Sequence, residues 1–269
     1  MDDKASSVLR SKTDASINVA VREVAAGRAS AVVTCGHSGA AMVAAVKGLG
    51  RLEGVDRPAL VTVVPRADGG EAVLLDLGAN VDCRPEQLAQ FALMGEAYAR
   101  AVLGLECPRV GLLSNGSERG KGNIQVRAAL PLLEALPIEF VGPIEPFEAF
   151  HGGADVVVCD GFVGNVMLKT VEATADVTLS LMQREIARMP HWRLGARFLR
   201  SAMRRFRSRT SASAYGGALL LGVNGVVVVA HGRSDKDAVD SALKVARRCV
   251  EQDVVGAVAK ALSGVMLPG

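Results

Sequence analysis

The strongest constraint on this 269-residue sequence is an alternation: short runs of Val, Leu and Ala, apolar at every position, recur between longer segments with helical spacing. A strand with one face in water alternates apolar and polar residues, so unbroken apolar runs belong to strands covered on both faces. The pattern predicts strands at Ala31 to Thr34, Ala59 to Val64, Ala72 to Asp76, Arg109 to Leu113, Glu139 to Val141, Ala154 to Cys159 and Val226 to Ala230. Helices are expected at Ala15 to Ala26, Ala40 to Leu49, Pro85 to Leu103, Gln125 to Leu136, Val166 to Arg188 and Asp235 to Leu262. This rhythm predicts an α/β fold, a mostly parallel sheet with helices on both faces, in a single domain spanning residues 1–269. With 4% aromatics and 29 glycines, the core must be built from aliphatic side chains, which disfavours an all-β sandwich.

Charge is unevenly distributed. The net formal charge is +3, yet Arg184 to Arg209 holds nine arginines against one acid, Glu185. Without that segment the remaining 22 basic and 27 acidic residues give 22 − 27 = −5. At helical spacing Trp192, Ala196, Leu199, Met203 and Phe206 form an apolar stripe beside Arg193, Arg197, Arg200, Arg204 and Arg207. A basic amphipathic helix of this kind suits an anionic membrane surface, a dimer partner or an acidic protein. Nucleic acid is disfavoured, because the rest of the surface would repel phosphates. Cys35, Cys83, Cys107, Cys159 and Cys249 are scattered, odd in number and never in C-x-x-C pairs, and read as thiols in a reducing cytoplasm. The charged start, Met1-Asp2-Asp3-Lys4, leads into no secretory h-region, and the most apolar stretch, Gly216 to His231, is interrupted by Asn224 and glycines and too short to span a bilayer.

In an open parallel sheet, ligands sit beyond the carboxyl ends of the strands. Five loops expected there are rich in Gly, Asn, Ser and Asp: Cys35 to Ala40, Asp76 to Asn80, Ser114 to Asn123, Asp160 to Asn165 and His231 to Ser234. Glycines such as Gly36 and Gly39 let backbone amides approach an anion at a helix start. Lys121, between Gly120 and Gly122, can place a cation beside such an anion, or stand as a solvated surface lysine. His231 can act as a base or donor, and Asn165 reads equally as a helix cap. The Walker and G-x-G-x-x-G spacings and the G-x-S-x-G elbow are absent. The four histidines do not pair at ligand spacing and Asp76 with Asp160 make only a loose carboxylate set, so no metal is expected, and with the nucleotide-binding spacings absent no cofactor is expected either. The loops suit electrostatic and positioning catalysis on a small anion and a reacting carbonyl.

Several blocks, in order, resemble the phosphate acyltransferase family of bacterial phospholipid synthesis (PlsX). They are Leu75 to Asn80, Gln90 to Gly95, Pro108 to Leu113, Lys121-Gly122-Asn123, Asp155 to Asn165 with Leu168-Lys169-Thr170, and Ala230-His231-Gly232. The resemblance implies transfer of a fatty acyl group from acyl carrier protein to inorganic phosphate, ahead of a membrane-bound glycerol-phosphate acyltransferase. It implies a fold similar to isocitrate and isopropylmalate dehydrogenases and phosphotransacetylases, and a homodimer. It further implies a helical protrusion at about residues 166–213 that touches the inner face of the cell membrane through Trp192, Leu199, Arg200, Met203, Arg204 and Phe206. By the same resemblance Lys121 and Asn165 are catalytic, and Gly36, Gly39, Asn80, Gly116, Asn123, Asp160, Gly161, His231 and Ser234 bind substrate. The chain departs from the family's pattern at His37 and at Ser114-Asn115-Gly116-Ser117, and, since the family usually begins earlier, either a misassigned start or a truncated relative is expected. Rival expectations are an acyl-CoA-dependent phosphotransacylase, an inactive membrane- or partner-binding remnant, and, weakest, a dehydrogenase.

Overall fold

A computed structural model describes residues 13–188, 216–232 and 234–265. Eight strands form one sheet: β1 (Ala31–Thr34), β2 (Ala59–Pro65), β3 (Glu71–Leu75), β4 (Arg109–Leu113), β5 (Glu139–Ile144), β6 (Val156–Val158), β7 (Ala218–Leu221) and β8 (Val226–Val229). The helices are α1 (Ser16–Ala25), α2 (Ser38–Gly48), α3 (Pro85–Leu103), α4 (Ile124–Glu134), α5 (Pro146–Phe150), α6 (Gly161–Arg188), α7 (Lys236–Glu251) and α8 (Val254–Ser263). The strand order is β1-β8-β7-β2-β3-β6-β4-β5, and four of the seven neighbouring pairs are parallel.

The three antiparallel pairs, β2 with β3, β2 with β7 and β7 with β8, reverse the sheet in its middle. Strands β1 and β8 therefore run against β3, β4, β5 and β6. Val33, Val228, Leu219, Val61, Leu75, Val158 and Leu112 stand in one row across the sheet. β3 and β6 end on this row, and β1 and β8 end one residue past it from the opposite direction. The five chemistry-bearing loops thus do not share one edge, as a wholly parallel sheet would have them. They converge from two directions on the middle of the sheet.

Alternation along the strands sorts the core in two. Val61, Val73, Leu75, Val156, Val158 and Leu219 face α3, α4, α7 and α8, whereas Leu60, Leu74, Val157, Leu220 and Val227 face α1, α2 and α6. Helix α3 is buried on almost every side. Pro85 opens it, the Gln87 side chain accepts from the Arg84 amide at 2.8 Å, and Gly104 ends it with φ +71. At its centre Gly95 lies so close to the sheet that a Cβ would stand 2.7 Å from Val156 Cγ1 and 2.9 Å from a Leu75 methyl. At the amino ends of the strands, Asp155 accepts from Arg109 Nε and Nη2 at 3.0 Å each and from Arg66 Nη1 at 2.6 Å, clamping the β2–β3 hairpin to β4 and β6.

Differences from the sequence reading have local causes. Strand β7, flanked by Gly216, Gly217 and Gly222, was not expected, and neither was the five-residue α5. The predicted helix from Asp235 to Leu262 is two helices, because Asp253 adopts φ +43 and caps α8 by accepting from the Gly256 amide at 3.2 Å. Helix α6 starts at Gly161, not Val166, so Asn165 lies in its second turn and is no cap. That task falls to Asp160, whose Oδ1 accepts from the Val163 amide at 2.8 Å. The C-terminal half of α6 exposes Val177, Leu181 and Met182. The rest of the expected protrusion, with Trp192, Leu199, Arg200, Met203, Arg204 and Phe206, lies outside the described residues.

Gly95→Ala overpacks the α3–sheet contact and should cost about 1–3 kcal/mol, read as a lower urea midpoint at unchanged slope.

Candidate active site

The loops meet around Asp76, the first residue after β3, which has no exposed surface. Its Oδ1 accepts from the amides of Leu60 (2.9 Å), Gly78 (3.2 Å) and Ala79 (3.1 Å), and its Oδ2 from the Asn80 amide (2.7 Å) and Asn80 Nδ2 (2.9 Å). Burial pushes the Asp76 carboxyl up, and these donors oppose that push. Asn80 Nδ2 also donates to the Pro58 carbonyl at 2.8 Å, and the Asn80 carbonyl accepts from the Gly161 amide at 2.7 Å. A Cβ on Gly161 would meet that carbonyl at 2.6 Å, and one on Gly164 would overlap the Asp76 carbonyl oxygen. These glycines therefore let α6 rest directly on the Asp76 loop.

Two cavities flank the first turns of α6. The larger, about 730 Å³, lies beyond the ends of β4 and β6, with walls from Leu112, Val126, Phe150, Val163, Val166 and Met167. Its polar end is formed by Ser114, Asn115, Gly122, Asn123 and Asp160. Phe162 also lines it while remaining 61% exposed, and the exposed Phe147 and Ile124 neighbour the lining residues Pro146 and Asn123 in sequence. An apolar body with one polar end takes an amphiphile of drug-like size, since ligand sites commonly measure ~300–1,000 Å³.

The smaller cavity, about 250 Å³, lies between α2 and α6 over β2 and β7, where the loops after β1 and β8 arrive. Gly36, Ser38, Thr62, Gly78, Asn165, Lys169, Glu172, His231 and Gly232 line it. His231 Nε2 stands 3.7 Å from Glu172 Oε1, and the Glu172 carboxylate raises the imidazole pKa above its ordinary 6.5, against burial and Lys169.

The expected site residues are therefore divided. Gly36, Asn165 and His231 line the small polar cavity, while Asn123 and Asp160 line the large one. Asn123 and Asp160 also cap α4 and α6, with Asn123 Oδ1 accepting from the Val126 amide at 2.8 Å. Asn80 and Gly161 brace the Asp76 loop. Gly39 lies in the first turn of α2, and Ser234 donates its amide to the His231 carbonyl at 2.9 Å. His37 caps α2 by accepting from the Ala40 amide at 3.3 Å. Gly116 is buried, and a Cβ there would stand 2.7 Å from Lys121 Cγ. Lys121 itself is exposed and has no ion-pair partner among the described residues. Lys121 lines neither cavity, although its neighbours Gly122 and Asn123 form the polar end of the large one.

Thr62 and Glu172 were not named from the sequence, and Lys169 and Ser114 entered it only as members of longer blocks with no role assigned. Ser114 alone carried a signal, as the first residue after a predicted strand. Cys159 also lines the large cavity, but burial and the nearby Asp76 and Asp160 carboxylates push its thiol well above the ordinary range; burial takes Cys83 up to about 12. Neither is a thiolate nucleophile at neutral pH. Among the described residues, no group of three or more His, Cys, Asp or Glu side chains could hold a metal ion.

A family model described as "Fatty acid synthesis protein" matches residues 1–257. The chain is 44% identical over 263 residues to a phosphate acyltransferase of Desulfitobacterium hafniense, covering 97% of this chain and 78% of that one. To a phosphate acyltransferase of a Cyanothece species it is 47% identical over 256 residues, covering 94% and 74%. A branched-chain phosphotransacylase from Enterococcus faecalis shares the fold with a TM-score of 0.55 at 17% identity, covering 93% of this chain and 81% of that one. A Staphylococcus aureus phosphotransacetylase gives 0.50 at 18%, covering 97% and 74%.

Asp76→Ala leaves four backbone amides without this acceptor and should destabilise the fold by about 3–5 kcal/mol in urea unfolding. His231 should titrate above 6.5 by NMR, and Glu172→Gln should return it toward that value. Because the folded pKa is the raised one, the pair's contribution to stability is complete below the unfolded pKa. It is lost as pH rises through the folded pKa.

Proposed function

Because the chain belongs to the phosphate acyltransferase family, a group of acyl-transferring enzymes that use phosphate, we propose that it makes acyl-phosphate from fatty acyl-[acyl carrier protein] and inorganic phosphate. The observation that carries this reading is the large cavity: an apolar body sized for an alkyl chain, ending in polar groups beside the exposed Lys121. Each methylene buried there contributes about 0.8 kcal/mol, so a long chain is held by its body and presented by its polar end.

In the proposed reaction a phosphate oxygen attacks the thioester carbonyl carbon. A C–O bond forms, the C–S bond breaks, and the sulfur leaves as thiolate and takes up a proton to become the carrier's free thiol. Lys121 supplies the cation beside the phosphate. The family resemblance also makes Asn165 catalytic; its side chain lines the small cavity, on the other face of α6 from the carbonyl placed here. The high thiol pKa values of Cys159 and Cys83 favour this direct attack over a covalent acyl-enzyme.

We further place this chemistry in the cytoplasm, in a homodimer that meets anionic lipid through the arginine-rich segment ending at Arg209 and hands its product to a membrane-bound glycerol-phosphate acyltransferase. Nine arginines against one acid support that placement. No helix among the described residues is long and apolar enough to cross a membrane.

The test is phosphate-dependent thiol release from long-chain acyl carrier protein, with acyl-CoA in a parallel assay. The carrier-linked donor should be used at the higher kcat/KM. Lys121→Ala should raise the phosphate KM by about ten- to a hundredfold, the worth of one charge-assisted hydrogen bond. Preference for acyl-CoA would reassign the donor, and silence with both would leave a binding protein without turnover.

A further inference from the structure

Among the described residues, two buried side-chain polar atoms have no hydrogen-bond partner, Ser114 Oγ and Gln125 Nε2. Both belong to the segment that carries Lys121. Ser114 is only 9% exposed and lines the polar end of the large cavity. Gly122, at φ +92, comes close from the opposite side of the loop: a Cβ there would lie 3.3 Å from the Ser114 hydroxyl. Every other polar side chain whose contacts are described at this end is engaged. Asn115 Oδ1 accepts from the Gly122 amide at 2.8 Å, Asn123 caps α4, and Asp160 caps α6. Folded proteins leave few such groups unpaired, because a buried hydroxyl without a partner is destabilising.

Resting on the acyl-transfer reading above, we propose that Ser114 is a catalytic residue whose hydroxyl donates a hydrogen bond to the carbonyl oxygen of the bound acyl group. The surroundings choose the carbonyl over phosphate. Asp160 lines the same polar end and would repel a second anion placed against it, whereas a neutral thioester carbonyl needs one donor and no counter-charge. The apolar walls continue from Ser114 in the way an alkyl chain continues from its carbonyl carbon. As phosphate adds, negative charge gathers on that oxygen, and a donor fixed before the reaction stabilises the transition state more than the bound substrate.

The experiment compares the parent, Ser114→Ala and Ser114→Thr. Ser114→Ala should lower kcat by about a hundredfold with the phosphate KM unchanged, while melting no lower than the parent, because it deletes an unpaired buried group. Ser114→Thr keeps the hydroxyl and should retain at least about a tenth of parental turnover. Full turnover by Ser114→Ala, a loss confined to the phosphate KM, or equal losses in both variants would overturn the assignment. A parent that releases no thiol would instead sink the reaction itself. A readout free of turnover separates the two cases: a donor analogue with methylene in place of sulfur and a ¹³C-labelled carbonyl. Its carbonyl resonance should move downfield on binding the parent and not on binding Ser114→Ala; the same shift with both would refute the contact.

Discussion

A carboxylate with no exposed surface at the end of a central strand is tolerable only when its charge is met by donors, and Asp76 is met by five. Those donors come from the start of β2 and from the loop that follows β3, so the one carboxyl group fixes a crossing point between antiparallel neighbours. Asn80 passes the constraint onward through its carbonyl to the Gly161 amide, and Gly164 lets the helix settle on the Asp76 backbone. The placement of α6, and with it both cavities, follows from how that buried charge is satisfied.

The reversal of the sheet explains why the polar groups are grouped as they are. Had every strand run the same way, the loops after β1 and β8 would crowd the same edge as those after β3, β4 and β6. Instead they arrive from the other direction and build a separate small cavity against β2 and β7. The apolar site beyond β4 and β6 is thereby left free of histidine and lysine side chains.

The sequence made the alternating framework readable because buried strands leave unbroken apolar runs and amphipathic helices leave periodic ones. It did not reveal β7, whose four residues sit among glycines and merge with the apolar run of β8. It did not reveal the break at Asp253 either, since a positive φ at aspartate leaves no glycine or proline as a mark. Among site residues, the loops were found but their tasks were not. Asn80 also braces the backbone through the Pro58 carbonyl, and a side chain's partner twenty-two residues away leaves no local trace; Asp160 caps α6 while lining the large cavity. The large cavity escaped for the same reason: its walls are drawn from α3, β4, α4, α5 and α6, with no contiguous motif. Ser114 could be placed at the head of a loop, but its unpaired hydroxyl is a property of the packed interior alone.

Helix α6 offers Val163, Val166, Met167, Thr170 and Val171 to one cavity and Asn165, Leu168, Lys169 and Glu172 to the other. The two chambers therefore share a partition one rod thick, and their sizes cannot be set independently. A bulkier residue that shoves the rod toward the polar side enlarges the apolar chamber by narrowing its neighbour. Tightly packed interiors transmit such displacements instead of absorbing them. A displacement forced on one side is consequently felt on the other as a mechanical load on a rod of 28 residues, or roughly 42 Å at 1.5 Å per residue.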